Sequence, residues 1–523
     1  MMSSTQDTST QDISTQDISV QERIFAFLTD PTRHPGVTRI DTHAASVFLD
    51  GSRALKIKRA VRFPFLDYST LEKRKAACEE EIRINQPLAP QIYRRVVAIT
   101  EDRDGSLRIG GDGSAIEFAV EMTRFDENRT LDHLAEAGPL GADLAAGIAN
   151  AISASHAIAP RVEMFRWIGT IPALIDGNSE GLRRGGHFTT TDIDELARAS
   201  HHAFMHVRPL LEDRGRQGFV RHCHGDLHLG NIALIDDQPV LFDAIEFDPD
   251  MASVDVLYDL GFTLMDLLCY EQQSAANIVL NRYLATTEAE NHDALGALPL
   301  FMSIRAAIRA QVLLARLARQ HVDQAEILED ARRYFRLAQA LINPPAPRLI
   351  AIGGLSGTGK SVLARMLAPL VPPQPGAVVL RSDVVRKQLF QAKETDRLPP
   401  SAYQPDVTAR IYDTLAQRAR CVLAQGHSVI IDAVFARQSE RDGMAALARA
   451  CNVPLTGFFL VADLATRQAR IGNRRDDASD ATREVAALQE HYNIGDLAWT
   501  IVDASGTPEQ TREQCGIAMA ADR

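Results

Sequence analysis

The chain has 523 residues, too many for one hydrophobic core, and roughly two to four domains are expected. Its apolar content of 45% and charged content of 24% are those of an ordinary globular protein, and the absence of a run of about 18 apolar residues predicts no membrane span. A net charge of −12 argues against broad binding to nucleic acid or an anionic membrane, while leaving room for a local basic pocket for phosphate.

Six scattered cysteines without a CxxC pair point away from disulfides and zinc and toward a reducing cytoplasm. The first residues lack a basic start followed by an apolar core, so a secretory signal is not expected. Residues 1–20 repeat a short polar unit (STQDT, STQDI, STQDI) and are expected to form a disordered tail. Strand-like runs then follow at Val37–Ile40, Ala45–Leu49 and Ala54–Lys58, the last two joined by the turn signal Asp50-Gly51. Ser69 as cap with Glu72 three residues on predicts a helix to about Asn85, ending before Pro87. Further strands are expected at 91–99 and 115–123, helices over 128–215, strand–turn–strand over 219–247, and helices over 253–340.

The stretch His224-Gly225-Asp226-Leu227-His228-Leu229-Gly230-Asn231, followed by Val240-Leu241-Phe242-Asp243, carries chemistry. Phosphoryl transfer to a hydroxyl needs metal ions that neutralise the triphosphate, a carboxylate that orients the hydroxyl, and a lysine on the phosphates. Asp226 is the candidate base; Asn231 and Asp243 offer oxygen atoms suited to magnesium. Ile232–Ile235 and Val240–Phe242 are expected to be two short strands that bring Asn231 and Asp243 together.

This pattern resembles the aminoglycoside phosphotransferase family, whose catalytic loop has the form HGDxxxxN followed by a strand ending in Asp. The resemblance implies an α+β protein-kinase-like domain over 21–342 that uses ATP, or another nucleoside triphosphate, and Mg2+. It implies that Lys56 or Lys58 binds phosphate and that Glu80 or Glu81 is the ion-pair partner. Both lysines point the same way on a strand, so alternation does not choose between them. The loop over the phosphates would be Thr42-His43-Ala44-Ala45-Ser46, which has no glycine. Asp255, Asp259 and Asp266 read as a solvated helix face, or else as an acidic attraction for a cationic substrate. His222, His224 and His228 are expected to hold backbone rather than metal. The likeness does not carry the acceptor's identity.

Asn343-Pro344-Pro345-Ala346-Pro347 reads as a stiff linker. After it, strand candidates at 348–353, 377–381, 428–432, 456–461 and 499–503 alternate with helices, which predicts an α/β domain with a parallel sheet over 348–523. The first strand runs directly into Gly354-Leu355-Ser356-Gly357-Thr358-Gly359-Lys360-Ser361, a P-loop in its required strand-to-helix context. The backbone around Gly354, Ser356, Gly357, Thr358 and Gly359 is expected to cradle phosphate, Lys360 to reach the β/γ phosphates, and Ser361 to bind magnesium.

This second domain resembles small-molecule kinases of the gluconate kinase, chloramphenicol phosphotransferase and zeta-toxin kind. The resemblance implies that Asp383 faces the acceptor hydroxyl, that Arg386 orients an anionic substrate, and that Asp432 ends a Walker B-like strand near magnesium. It implies a lid carrying Arg467, Arg470, Arg474 and Arg475, with Arg470 and Arg474 on the transferring phosphate, and an adenine-side loop from Val502 to Pro508. Ser382-Asp383 also reads as a helix cap, and the arginines as surface charge. The expectation is a bifunctional phosphotransferase acting on small hydroxylated molecules. The alternatives are a single P-loop kinase regulated by a nucleotide-sensing first domain, or an AAA-type ATPase.

Overall fold

A computed structural model describes residues 15–63, 66–162, 166–287, 289–318, 323–472 and 478–521. Residues 1–14 of the expected tail lie outside these, but residues 15–20 correct that expectation, because they open a helix, Thr15–Leu28. Ile24, Phe25 and Leu28 give this helix an apolar stripe that packs with Phe48, Leu55, Ile57 and Ile99. Asp17 of the polar repeat pairs with Arg74 at 3.1 Å.

The chain divides into two compact units: Met1–Leu140 with Ala151–Ile171 and Glu212–Thr263, and Gly141–Asn150 with Pro172–Leu211 and Leu264–Arg523. The contact division therefore runs through the helical region, and the proline-rich segment 343–347 lies within the second unit.

The first unit is α+β. Its six-stranded antiparallel sheet runs in the order Thr38–Asp41, Ala45–Asp50, Arg53–Lys58, Ser114–Thr123, Tyr93–Glu101, Leu107–Ile109. The helix Leu71–Asn85 packs against it. Its N-cap is Thr70, which accepts from the Lys73 amide, and not Ser69; the Ser69 hydroxyl instead donates to Asp67 at 2.6 Å. A short hairpin, Ile232–Ile235 with Gln238–Leu241, and a short antiparallel pair, Val220–His222 with Ser253–Asp255, complete the site region.

The second unit holds a five-stranded parallel sheet in the order Val378–Arg381, Val429–Asp432, Leu349–Gly354, Leu455–Val461, Thr500–Asp503. Leu349–Gly354 and Val429–Asp432 are buried along their whole length, which is why they read as continuous apolar runs without alternation. Val378–Arg381 is an edge strand. Asn281, on the helix Gln273–Thr286, accepts from the Val379 amide (2.7 Å) and donates to the Ala377 carbonyl (3.1 Å), and Asn277 donates to the same carbonyl at 3.1 Å. Two side-chain amides thus satisfy part of an open strand edge.

The helical stretch Asn291–Leu317 is long and apolar enough to cross a membrane by composition alone, and 67% of its most apolar window is buried within the fold.

Candidate functional sites

The first site lies where the strand Arg53–Lys58 faces the helix Leu71–Asn85. On that helix Arg74, Cys78, Glu81 and Asn85 are buried, at spacings of four, three and four that mark one face. Glu81 is therefore the inward acid. Glu80 is not part of the site: it turns outward and holds Arg83 at 2.5 Å. Glu81 grips both lysines, with Oε1 2.9 Å from Lys56 Nζ and Oε2 2.6 Å from Lys58 Nζ. Lys56 also reaches Asp243 at 2.5 Å, while Lys58 pairs with Glu246.

Burial opposes charge on both lysines, but the facing carboxylates outweigh it and hold both pKa values above the ordinary lysine range. Burial likewise pushes Asp243 up, and the charge and hydrogen bond of Lys56 bring it down to about 2. Asp243 has a left-handed backbone (φ 61°), and its amide donates to the Tyr93 hydroxyl at 3.1 Å. A fixed, fully ionised carboxylate is what a hard cation requires.

Asn231 Nδ2 donates to the Asp226 carbonyl (2.8 Å) and carboxylate (3.3 Å), so its Oδ1 is the atom available to a cation. His224 Nε2 lies 2.9 Å from the Phe242 carbonyl, and the Gly230 amide donates to His228 at 3.1 Å, so both histidines brace the loop. The turn at Thr42–Ser46 closes on itself, with Thr42 Oγ1 accepting from the Ala45 amide at 2.9 Å.

The three aspartates taken as a solvated or substrate-attracting face are neither. Asp255, Asp259 and Asp266 are all buried. Asp255 holds Arg214 in a two-pronged ion pair of 2.7 and 2.8 Å, Asp259 accepts from the amides of His224 and Gly225, and Asp266 accepts from Tyr334.

The second site is a cleft of about 1060 Å³ whose walls include residues 356–363 of the P-loop, Asp383, Arg386, Asp432 and Arg470. Gly357 has φ +89°, and a Cβ there would lie 2.6 Å from the Arg467 carbonyl oxygen, so only glycine fits. The amides of Gly357 and Gly359 have no acceptor among the described residues. Lys360 Nζ donates to the Leu355 carbonyl at 3.2 Å, within its own loop. Ser361 Oγ donates to Asp432 Oδ2 at 2.5 Å, which brings two hard oxygen atoms together, and Arg381 reaches the same carboxylate at 3.3 Å.

Asp383 lies at the start of the helix Ser382–Leu389, half-buried beside the cleft. Burial and the nearby Asp432 charge raise its pKa. Transfer through this site is therefore expected to fall on acidification at a higher pH than an ordinary carboxylate of about 3.9 would give. A pH–rate profile in an Asp226→Ala background checks this; an acid limb at or below the ordinary value would contradict it.

Arg386 is buried, donates to the Ala402 carbonyl at 2.5 Å and lies against the Tyr403 ring. Arg470 donates to the carbonyls of Thr358 (3.4 Å) and Gly506 (2.8 Å), on the loop after the last strand. Arg467 is buried against Ser356, Ala486 and Glu490, a brace behind the loop rather than a group in the cleft. Arg474 and Arg475 lie outside the described residues.

Comparison with known proteins finds one match around each site. Residues 48–297 match the phosphotransferase enzyme family and residues 349–492 match the AAA domain family. The chain thus carries a phosphotransferase-family, kinase-like domain followed by a P-loop kinase-like domain. Uncharacterised proteins of Mycobacterium tuberculosis and Mycobacterium bovis are 29% identical over 470 residues, covering 87% of this chain and 90% of theirs. Among solved structures, a choline/ethanolamine kinase family protein from Mesorhizobium loti is 14% identical, covering 62% of this chain and 95% of its own, with a TM-score of 0.34. A gluconokinase from Sinorhizobium meliloti 1021 is 19% identical, covering 34% of this chain and 94% of its own, with a TM-score of 0.25.

Proposed function

We propose that the protein is a bifunctional phosphotransferase that moves the γ-phosphate of ATP, or another nucleoside triphosphate, to small hydroxylated molecules at two separate sites. One observation carries this reading: each unit holds its own complete set of groups. The first has Lys56 for phosphate, Asn231 and Asp243 for metal, and Asp226 for the hydroxyl. The second has Lys360, then Ser361 with Asp432, then Asp383. The oxygen-only donors fit magnesium, which when bound neutralises phosphate charge. Lys56 and Lys360 hold phosphate oxygens, while Asp226 and Asp383 orient the acceptor hydroxyl and accept its proton. Six free thiols accord with a cytoplasmic setting.

The test is transfer from ATP to a pooled metabolite and aminoglycoside panel, read as new phosphorylated masses. Wild type is compared with Asp226→Ala, Lys360→Ala and the double variant. Each single variant is expected to lose a different product. Loss of every product in Lys360→Ala alone would make the first site a nucleotide sensor. ATP hydrolysis without any phosphorylated product would favour the AAA-type reading.

A further inference from the structure

Gln489 ends the short helix Arg483–Gln489 and lines the P-loop cleft. It is only 6% exposed. Its Oε1 accepts the backbone amide of Ser356 at 2.7 Å, inside the phosphate loop. An N–H can be met only by an acceptor, so this contact fixes which end of the carboxamide faces the loop. The NH2 end is turned the other way: among the described residues Nε2 donates to no acceptor, and it is not one of the buried side-chain atoms left without a partner, so on this cleft-lining residue it stays open to solvent.

Its neighbours indicate what it faces. The next residue, Gly357, has an amide with no acceptor among the described residues, and Lys360 lies four positions on from Ser356. In a P-loop the backbone amides cradle phosphate and the lysine reaches the β/γ phosphates. The helix carrying Gln489 is itself held to the loop through Arg467, which donates to the carbonyls of Ser356 and Ala486 and pairs with Glu490.

We infer that Gln489 is a further phosphate-contacting residue of the P-loop site, held by Ser356 so that its amide N–H donates to the terminal phosphate of the bound triphosphate. This rests on the P-loop domain binding a nucleoside triphosphate as proposed above. The contact exists with a triphosphate and not with a diphosphate, so Gln489 separates ATP from ADP. It adds a neutral donor on the oxygens where charge is redistributed during transfer.

The experiment is a calorimetric titration of the full chain with Mg-ADP and with a non-hydrolysable Mg-ATP analogue, the first site being silenced by Lys56→Met. Gln489→Glu keeps an oxygen for Ser356 but replaces the free donor with a carboxylate oxygen. It is expected to weaken the analogue by about tenfold or more while ADP stays within about threefold. Gln489→Met, which adds no charge, is expected to show a smaller loss in the same direction and serves if the Glu variant does not fold. Equal weakening of both nucleotides would make Gln489 a brace of the loop only, and no change in either would remove it from the site; both results overturn the inference. Lys360→Ala is run alongside. If it leaves both affinities intact, the P-loop reading fails; if it weakens binding while Gln489 shows no selectivity, only the present inference falls.

Discussion

Replacing Lys56 by Met is expected to lower transfer at the first site by about 10²- to 10³-fold, comparable to the removal of a transition-state charge donor. Lys58→Met is expected to act mainly on stability. The two lysines share Glu81, so the distinction rests on their other partners and on access. Lys56 touches Asp243, whose side chain is 43% exposed, and so lies at the solvent-facing side of the cluster, where the proposed triphosphate would bind. Lys58 is 3% exposed and pairs with Glu246, itself 7% exposed, which leaves no room for phosphate. Removing Lys58 takes the cation from Glu246, which keeps the Tyr68 hydroxyl at 3.3 Å, and from half of Glu81, and breaking a buried pair from one side costs about 3–5 kcal/mol. Lys56 still holds Glu81, so a loss near about 3 kcal/mol is expected. Urea unfolding and first-site product formation, each in a Lys360→Ala background, separate the two effects. Equal loss of product without loss of stability in the two variants would show that both lysines reach phosphate.

The parts of these sites that were legible in the sequence are those in which chemistry and chain contiguity coincide. The P-loop is one unbroken strand–loop–helix, and Asp226, Asn231 and Asp243 lie within 18 residues on one loop and one hairpin. The parts that were not legible depend on helix phase or on pairing across the chain. Consecutive glutamates at 79–81 look alike in a motif, yet each residue turns a helix by about 100°, and only one can face the sheet. The spacing of Arg74, Cys78, Glu81 and Asn85 held that answer. Asp259 and Asp266 lie on Val256–Cys269, where Leu, Phe and Met occupy every side of the helix. A helix apolar all round is buried, and its acids must be buried with it. Glu246 and Gln489 belong to no motif; only the folded chain brings them to Lys58 and Ser356.

Asp259→Ala is expected to lower stability by about 3 kcal/mol and to lower first-site transfer by about 10²-fold, with the P-loop product unchanged. Asp259 accepts the amides of His224 (3.3 Å) and Gly225 (2.9 Å), the two residues immediately before Asp226. It also lies 3.1 Å from His156 Nε2. Gly225 has φ +81°, and a Cβ there would lie 3.0 Å from Ile245 Cδ1 and 3.2 Å from the Ala252 Cα, so the backbone holding these amides has little free space around it. Two buried amides and an imidazole then lose their common partner, and an unsatisfied buried donor costs about 1–3 kcal/mol. The activity term is separate. Asp226 keeps its carboxylate but loses the anchor that sets its position, and a displacement of about 1 Å is enough for a hundredfold loss. Asp259→Asn keeps one oxygen for Gly225 and is expected to fall between wild type and Asp259→Ala on both measures. Unfolding titration together with the two product masses checks this. A stability loss with first-site transfer intact would mean that the loop is held by its own contacts, and that Asp259 serves the core alone.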